Sequence, residues 1–170
     1  KQHPETLFVI RAHPDESRPG KASRETVTDW VHARGADRLD NLVFVGPDEY
    51  FSSYEMIQRA KFVMIYNSTI GMEASIMGVP VLCGGKARFT QLDTVYFPTS
   101  QDDYLSQLEQ FLIDDRVQAL EIHQQNSRRF LYYQLYRTSL PFNAFLEPDG
   151  IWPGFVRLKS FAWQDLLPEH

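Results

Sequence analysis

Residues 63–82 read VMIYNSTIGMEASIMGVPVL, and the stretch parses into strand, turn, helix, turn and strand. Val63-Met64-Ile65-Tyr66 is an apolar run of strand length, and Asn67-Ser68-Thr69 breaks it. Ile70 to Met77 is then predicted as a helix, with Gly78 as its stop and Pro80 barring its continuation into the next apolar run. A strand, a covering helix and a second strand make a crossover unit, and such units build parallel sheets.

The same stretch points to chemistry. A helix that opens on two hydroxyls and a glycine after a buried strand offers unpaired N–H groups and a positive dipole end. An anion, most simply a phosphate, is therefore expected at Ser68, Thr69 and Gly71, the glycine costing helix stability unless something approaches its backbone. Ser68 and Thr69 can also serve as caps, a job compatible with holding an anion. Glu73 falls one turn after Thr69 on the same face, where its carboxylate could accept from sugar or ribose hydroxyls or simply complement the dipole.

Outward from this unit the alternation continues. Leu7 to Arg11 is a strand that ends at His13-Pro14, followed by a turn over 15–20 and a helix over 23–34 carrying Val27, Trp30 and Val31, with Gly35 as its stop. Leu42 to Val45 is the second strand. Ser52-Ser53-Tyr54-Glu55 has the capping-box spacing, with Phe51 and Met56 placed as a hydrophobic staple for a helix through Ala60. Strands over 62–66, 80–83 and 94–97 complete the set. The expected fold is α/β: a doubly wound, Rossmann-like, mainly parallel sheet of about five strands flanked by helices.

From Asp102 the pattern turns helical, through Leu105, Leu108 and Leu112 and again over 117–137, with Pro141 ending it. Residues 1–140 are read as one ligand-binding domain with extra C-terminal helices. Residues 141–170 are read as an aromatic, loop-like tail turning at Pro148-Asp149-Gly150 and Trp152-Pro153-Gly154, with Trp152 and Phe155 placed either to pack on the domain or to dock elsewhere.

Of 170 residues, 43% are hydrophobic and 14% aromatic, enough for a packed core. A net charge of −5 and a pI near 5.5 argue against nucleic acid as a partner. Arg11, Arg18, Lys21, Arg24, Arg34 and Arg38 nevertheless crowd the first segment, as a solvated face or a positive rim around an anion. No run is long enough to insert in a membrane. The chain opens at Lys1 almost directly into a strand, as a piece of a longer protein would, and its one cysteine, Cys83, is read as a core residue in a reducing, cytoplasmic setting.

Loops leaving parallel strands emerge on one edge, so His13, the Gly46-Pro47 turn, Ser68-Thr69 and the flexible, basic Gly84-Gly85-Lys86 loop with Arg88 are expected on a common rim. His13 can donate to a phosphate, and Lys86 or Arg88 can meet a phosphate or carboxylate. No P-loop or G-x-G-x-x-G spacing occurs, and nothing has zinc-ligand spacing, so no metal site and no cofactor are expected.

Val9-Ile10-Arg11-Ala12-His13-Pro14, Ser52-Ser53-Tyr54-Glu55 and Ser68-Thr69-Ile70-Gly71-Met72-Glu73-Ala74 through Gly78-Val79-Pro80-Val81 together resemble the C-terminal, donor-binding half of GT-B glycosyltransferases, particularly bacterial capsule and surface-polysaccharide enzymes of the Kdo-transferase and sialyltransferase kind. The resemblance covers about residues 7–112. It implies a nucleotide-sugar substrate, CMP-linked by preference with UDP or GDP as alternatives. His13, Ser68, Thr69 and Gly71 would grip phosphate and Glu73 the donor hydroxyls, with His13 and Glu73 as the catalytic groups. A saccharide acceptor and the general base would come with the N-terminal domain of the parent, cytoplasmic or peripheral at the inner membrane, and this piece alone would be inactive. The competing readings are a nucleotide-sugar 2-epimerase-like domain and a non-catalytic nucleotide-binding or assembly domain.

Overall fold

The computed structural model describes residues 3–18, 20, 24–139, 142–152 and 154–167. Lys21, the expected helix start at Ser23, Pro141 and Pro153 lie outside them. The chain forms two compact units, Lys1–Arg128 and Arg129–His170, and the division falls inside a helix rather than at the 140/141 junction read from composition.

The first unit is mixed α/β. Strands β1 (Phe8–Arg11) and β2 (Leu42–Val45) pair in parallel with Phe8 opposite Leu42 and Arg11 opposite Val45. Between them lie a 3-10 turn, Pro14–Ser17, and helix α1 (Val27–Arg34). That helix starts later than its apolar pattern suggests because Thr26 and Asp29 close a reciprocal capping box, and it stops at Gly35, whose φ of 62° only glycine adopts cheaply. Glu16 accepts from the Val27 N–H at 2.9 Å and ties the turn to the helix.

Helix α2 (Ser53–Arg59) is capped by Ser52, which accepts from the Glu55 N–H at 3.4 Å; only this half of the expected box is formed. Strands β3 (Val63–Ile65) and β4 (Val81–Cys83) enclose helix α3 (Ile70–Ile76) and pair in parallel, Val63 opposite Val81 and Ile65 opposite Cys83. The crossover read from residues 63–82 is therefore present. Val81, Leu82 and Cys83 are all buried, as befits a parallel strand covered on both faces.

The expected sheet of about five strands is not formed: among the described residues of this unit the strands make ladders of two, β1-β2 and β3-β4. Residues 94–97 contribute one parallel bridge, Leu82 to Tyr96, in place of a fifth strand. Its neighbour explains the short pairing. Thr94 is fully buried and turned to other work, its carbonyl accepting from Ser75 Oγ at 2.7 Å and Ser127 Oγ at 3.3 Å while its own hydroxyl donates to Phe89 O at 2.7 Å. Pro98 then removes a ladder donor just beyond Phe97.

Helix α4 (Gln101–Ile113) is capped by Ser100, and α5 (Glu121–Tyr136) follows it. Phe111 of α4 meets Phe62 and Tyr96 edge-on at 5.3 and 5.0 Å, and Tyr96 meets His123 at 4.8 Å, an aromatic chain of the kind that adds to area burial.

The second unit is not all loop. Strands β5 (Leu146–Pro148) and β6 (Val156–Leu158) form an antiparallel hairpin with Glu147 opposite Arg157, beside a ring cluster of Phe142, Phe145 and Phe161. Three-residue strands carrying a proline and an ion pair give too little alternation to be legible in the sequence. Trp152 and Phe155 remain about two-thirds exposed.

Candidate functional site

A cleft of about 580 Å³ opens where β3 and β4 end. Tyr66 follows β3, Gly84 follows β4, and Phe97, Pro98, Ser100 and Tyr104 close the side formed by the start of α4. Its walls are mainly aromatic and apolar. The position is the carboxyl end of parallel strands, where ligands of α/β proteins bind.

The two glycines here are positioned by that wall. Gly84 N–H donates to Ile65 O at 2.9 Å and Gly85 N–H to Tyr66 O at 2.6 Å, which carries the pairing of the β3 and β4 chains past Cys83. A Cβ on Gly85 would lie 2.8 Å from both the Tyr66 ring and the Tyr66 carbonyl oxygen, so only glycine allows the tyrosine ring to lie there. A Cβ on Gly84 would stand 3.3 Å from the Tyr104 ring. The loop expected to be flexible is thus tied down at both glycines, and its cations follow: Lys86 and Arg88 are exposed, and among the described residues neither side chain has a hydrogen-bond or ion-pair partner. Cys83 lies beneath, fully buried, its thiol donating toward Tyr66 O and Gly85 O at 3.1 Å. Burial pushes that thiol's pKa up, which makes it a packing group rather than a nucleophile.

Ser68 and Thr69 are exposed at the entry of α3, and Thr69 makes no side-chain cap. Among the described residues the Thr69 and Ile70 N–H groups have no partner, so the donors expected for an anion are open. Gly71 corrects the expectation placed on it. Its N–H is taken by Ser68 O at 3.1 Å, and a Cβ at this position would fall 2.2 Å from Ile65 Cδ1. The close approach that demands a glycine is made by the chain's own β3 side chain.

Glu73 is half-buried and its Oε2 accepts from the Tyr54 hydroxyl at 2.5 Å, joining α3 to α2. The carboxylate pushes the tyrosine pKa up, first through that hydrogen bond and then through its charge. In the sequence Tyr54 reads only as a helix-start residue, because its place between a cap serine and a helix acid carries no signal of the pairing.

His13 is exposed and caps the 3-10 turn, its Nδ1 accepting from the Asp15 N–H at 3.0 Å. An accepting Nδ1 leaves the proton on Nε2, so the ring presents one outward donor. Among the described residues no hydrogen bond, ion pair or ring contact joins His13 to Ser68, Thr69 or Glu73. Of the basic crowd, Arg11 donates to Gly46 O and to Glu49 O, and Arg18 pairs with Asp15 at 3.0 Å, so both serve local structure.

Tyr66, Phe97 and Tyr104 carry no site signal in the sequence, yet they line the cleft. Aromatic residues beside apolar runs or on a helix read equally well as core, and only the fold turns these three to one opening. Burial raises the pKa of Tyr104 above the ordinary tyrosine value. The cleft can hold a planar ring among aromatic side chains; His13, Ser68, Thr69, Glu73, Lys86 and Arg88 are not among the residues that line it. Among the described residues no cluster of three or more His, Cys, Asp or Glu side chains could hold a metal ion, and no helix is long and apolar enough to cross a membrane. Compared with protein-family models, curated proteins and solved structures, the chain finds no match.

Proposed function

We propose that this chain is the donor-binding part of a sugar-nucleotide-dependent glycosyltransferase of surface or capsular polysaccharide synthesis, a Rossmann-like half of a GT-B architecture working in the cytoplasm. The observation that carries the reading is the aromatic-walled cleft at the ends of β3 and β4, with the hydroxyls of Ser68 and Thr69 and the open N–H groups of Thr69 and Ile70 following Tyr66 in the chain, and Lys86 and Arg88, without a side-chain partner among the described residues, following Gly84. A nucleotide has that same division into an apolar planar base and an anionic tail.

In this reading the base lies against Tyr66 and Tyr104, the phosphates meet Ser68, Thr69 and the Lys86 loop, and Glu73 accepts from donor hydroxyls. His13 adds an Nε2–H donor. Sugar transfer is favoured because charge builds on the departing phosphate as the glycosidic bond breaks, and donors aimed at that oxygen act more strongly on the transition state than on the bound donor. The saccharide acceptor and the base that activates it come from the rest of the parent. CMP-linked donors are favoured over UDP- or GDP-linked ones.

A titration with CMP, UDP, GDP and their sugar conjugates, followed by backbone amide shifts, tests the reading. Selective shifts at Tyr66, Ser68, Gly84 and Tyr104 are expected. A folded protein whose amides stay still at millimolar nucleotide would overturn it.

A further inference from the structure

We propose that Tyr54 is a positioning residue for Glu73, holding one carboxylate oxygen so that the other faces a sugar or ribose hydroxyl of the donor; the proposal rests on the donor-binding reading. Tyr54 and Glu73 come from successive helices, α2 and α3, and meet through a single 2.5 Å hydrogen bond to Oε2. Oε1 has no partner among the described residues. Tyr54 is about half exposed, so the pair is not a core contact that packing alone requires.

The hydrogen bond preorganises the carboxylate. A half-exposed glutamate has freely rotating χ angles, and a ligand that uses it must first stop that rotation. A phenol that donates to one oxygen stops it beforehand and leaves the second oxygen as an acceptor. The same bond explains why the tyrosine holds its proton more tightly than usual: ionising it would place two negative groups in contact. Glu73 also stands one helical turn beyond Thr69 on the same helix face, and Thr69 follows closely on the cleft residue Tyr66. Aromatic wall, hydroxyls and fixed acceptor then succeed one another along the chain in the order that base, phosphate and sugar take along a nucleotide sugar.

The test is a double-mutant cycle of Tyr54→Phe and Glu73→Ala, read by calorimetric titration with CMP-sialic acid and UDP-glucose, with CMP and UDP as sugar-free controls and a urea melt of each variant. Tyr54→Phe is expected to weaken the preferred sugar nucleotide by about three- to tenfold, the scale of one ordered side chain. Smaller loss is expected for the free nucleotide, and none when Glu73 is already alanine. A Tyr54→Phe protein that binds the sugar nucleotide as well as the parent, or loses the same factor in the Glu73→Ala background, overturns the positioning role and leaves the donor reading standing. If the parent protein binds none of the four ligands, the donor reading falls and takes the role of Tyr54 with it.

Discussion

Ile65 occupies the space that a side chain at Gly71 would need: a Cβ there would stand 2.2 Å from Ile65 Cδ1, 3.1 Å from its Cγ1 and 3.3 Å from Val81 Cγ1. The first turn of α3 is pressed onto its own strands. Gly71→Ala gains helix propensity of about 1 kcal/mol but overpacks this contact at a cost of about 1–3 kcal/mol. A net loss of stability is expected in urea melts, and Ile65→Val, which removes the offending methyl, should recover part of it. A Gly71→Ala protein more stable than the parent would show that the contact relaxes freely.

Thr94 joins three parts of the first unit through buried bonds to Ser75, Ser127 and Phe89. Thr94→Val removes the 2.7 Å bond to the buried Phe89 carbonyl, which keeps the Leu92 N–H at 3.1 Å, a loss of about 0.5–1.5 kcal/mol. Ser127→Ala should cost less, because the bond it removes is the longer one, at 3.3 Å, and Thr94 O keeps the 2.7 Å bond from Ser75. Chemical denaturation of the two variants side by side checks the order.

His123 is half-buried against Tyr96, and burial lowers its pKa, with Asp93 opposing the shift. The unfolded chain therefore takes up this proton at a higher pH than the folded one. Stability from this group is complete above the ordinary histidine pKa of 6.5 and declines as pH falls toward the lowered value. His123→Phe keeps an edge-on ring and should flatten the pH dependence of the urea midpoint between about pH 7.5 and 5.5. An unchanged slope would place the dependence elsewhere.

Cys83 is fully buried with its thiol directed at two carbonyl groups. Its alkylation in the native protein is expected to be slow and to accelerate with urea, following opening rather than thiolate chemistry. Rapid labelling without denaturant would contradict the packing described.

Tyr66 is three-quarters exposed while its backbone oxygen holds Gly85, so the ring and the main chain do separable jobs. Tyr66→Ala should weaken nucleotide binding by roughly 1–3 kcal/mol, the range for an aromatic face under a base, with little change in the urea midpoint. Gly85→Ala should instead destabilise the protein, because its Cβ meets a carbonyl oxygen that cannot step aside.

Elements with a strong local signature are legible in the residues alone. The apolar runs that form β1 to β4, the Gly35 and Gly78 stops and the Ser52 cap lie where residue type predicts them, because each depends on neighbours within one turn or strand. What misleads is the meaning of a residue whose partner is distant in space from its chain neighbours. Gly71 reads as room for a ligand until Ile65 is seen beside it. Residues 94–97 read as a strand, yet the buried polar bonds of Thr94 leave them one bridge.

The candidate site divides in the same way. Local pattern is enough to predict that a helix follows β3 and that its first turn carries N–H groups without an intrahelical partner, since every helix start has them. Whether Tyr66, Phe97 and Tyr104 share one cleft, whether Glu73 stands free or leans on Tyr54, and which glycines serve packing were decided by tertiary structure. These contacts join residues that belong to different elements, and hydrophobic periodicity carries no record of which distant face a side chain will meet.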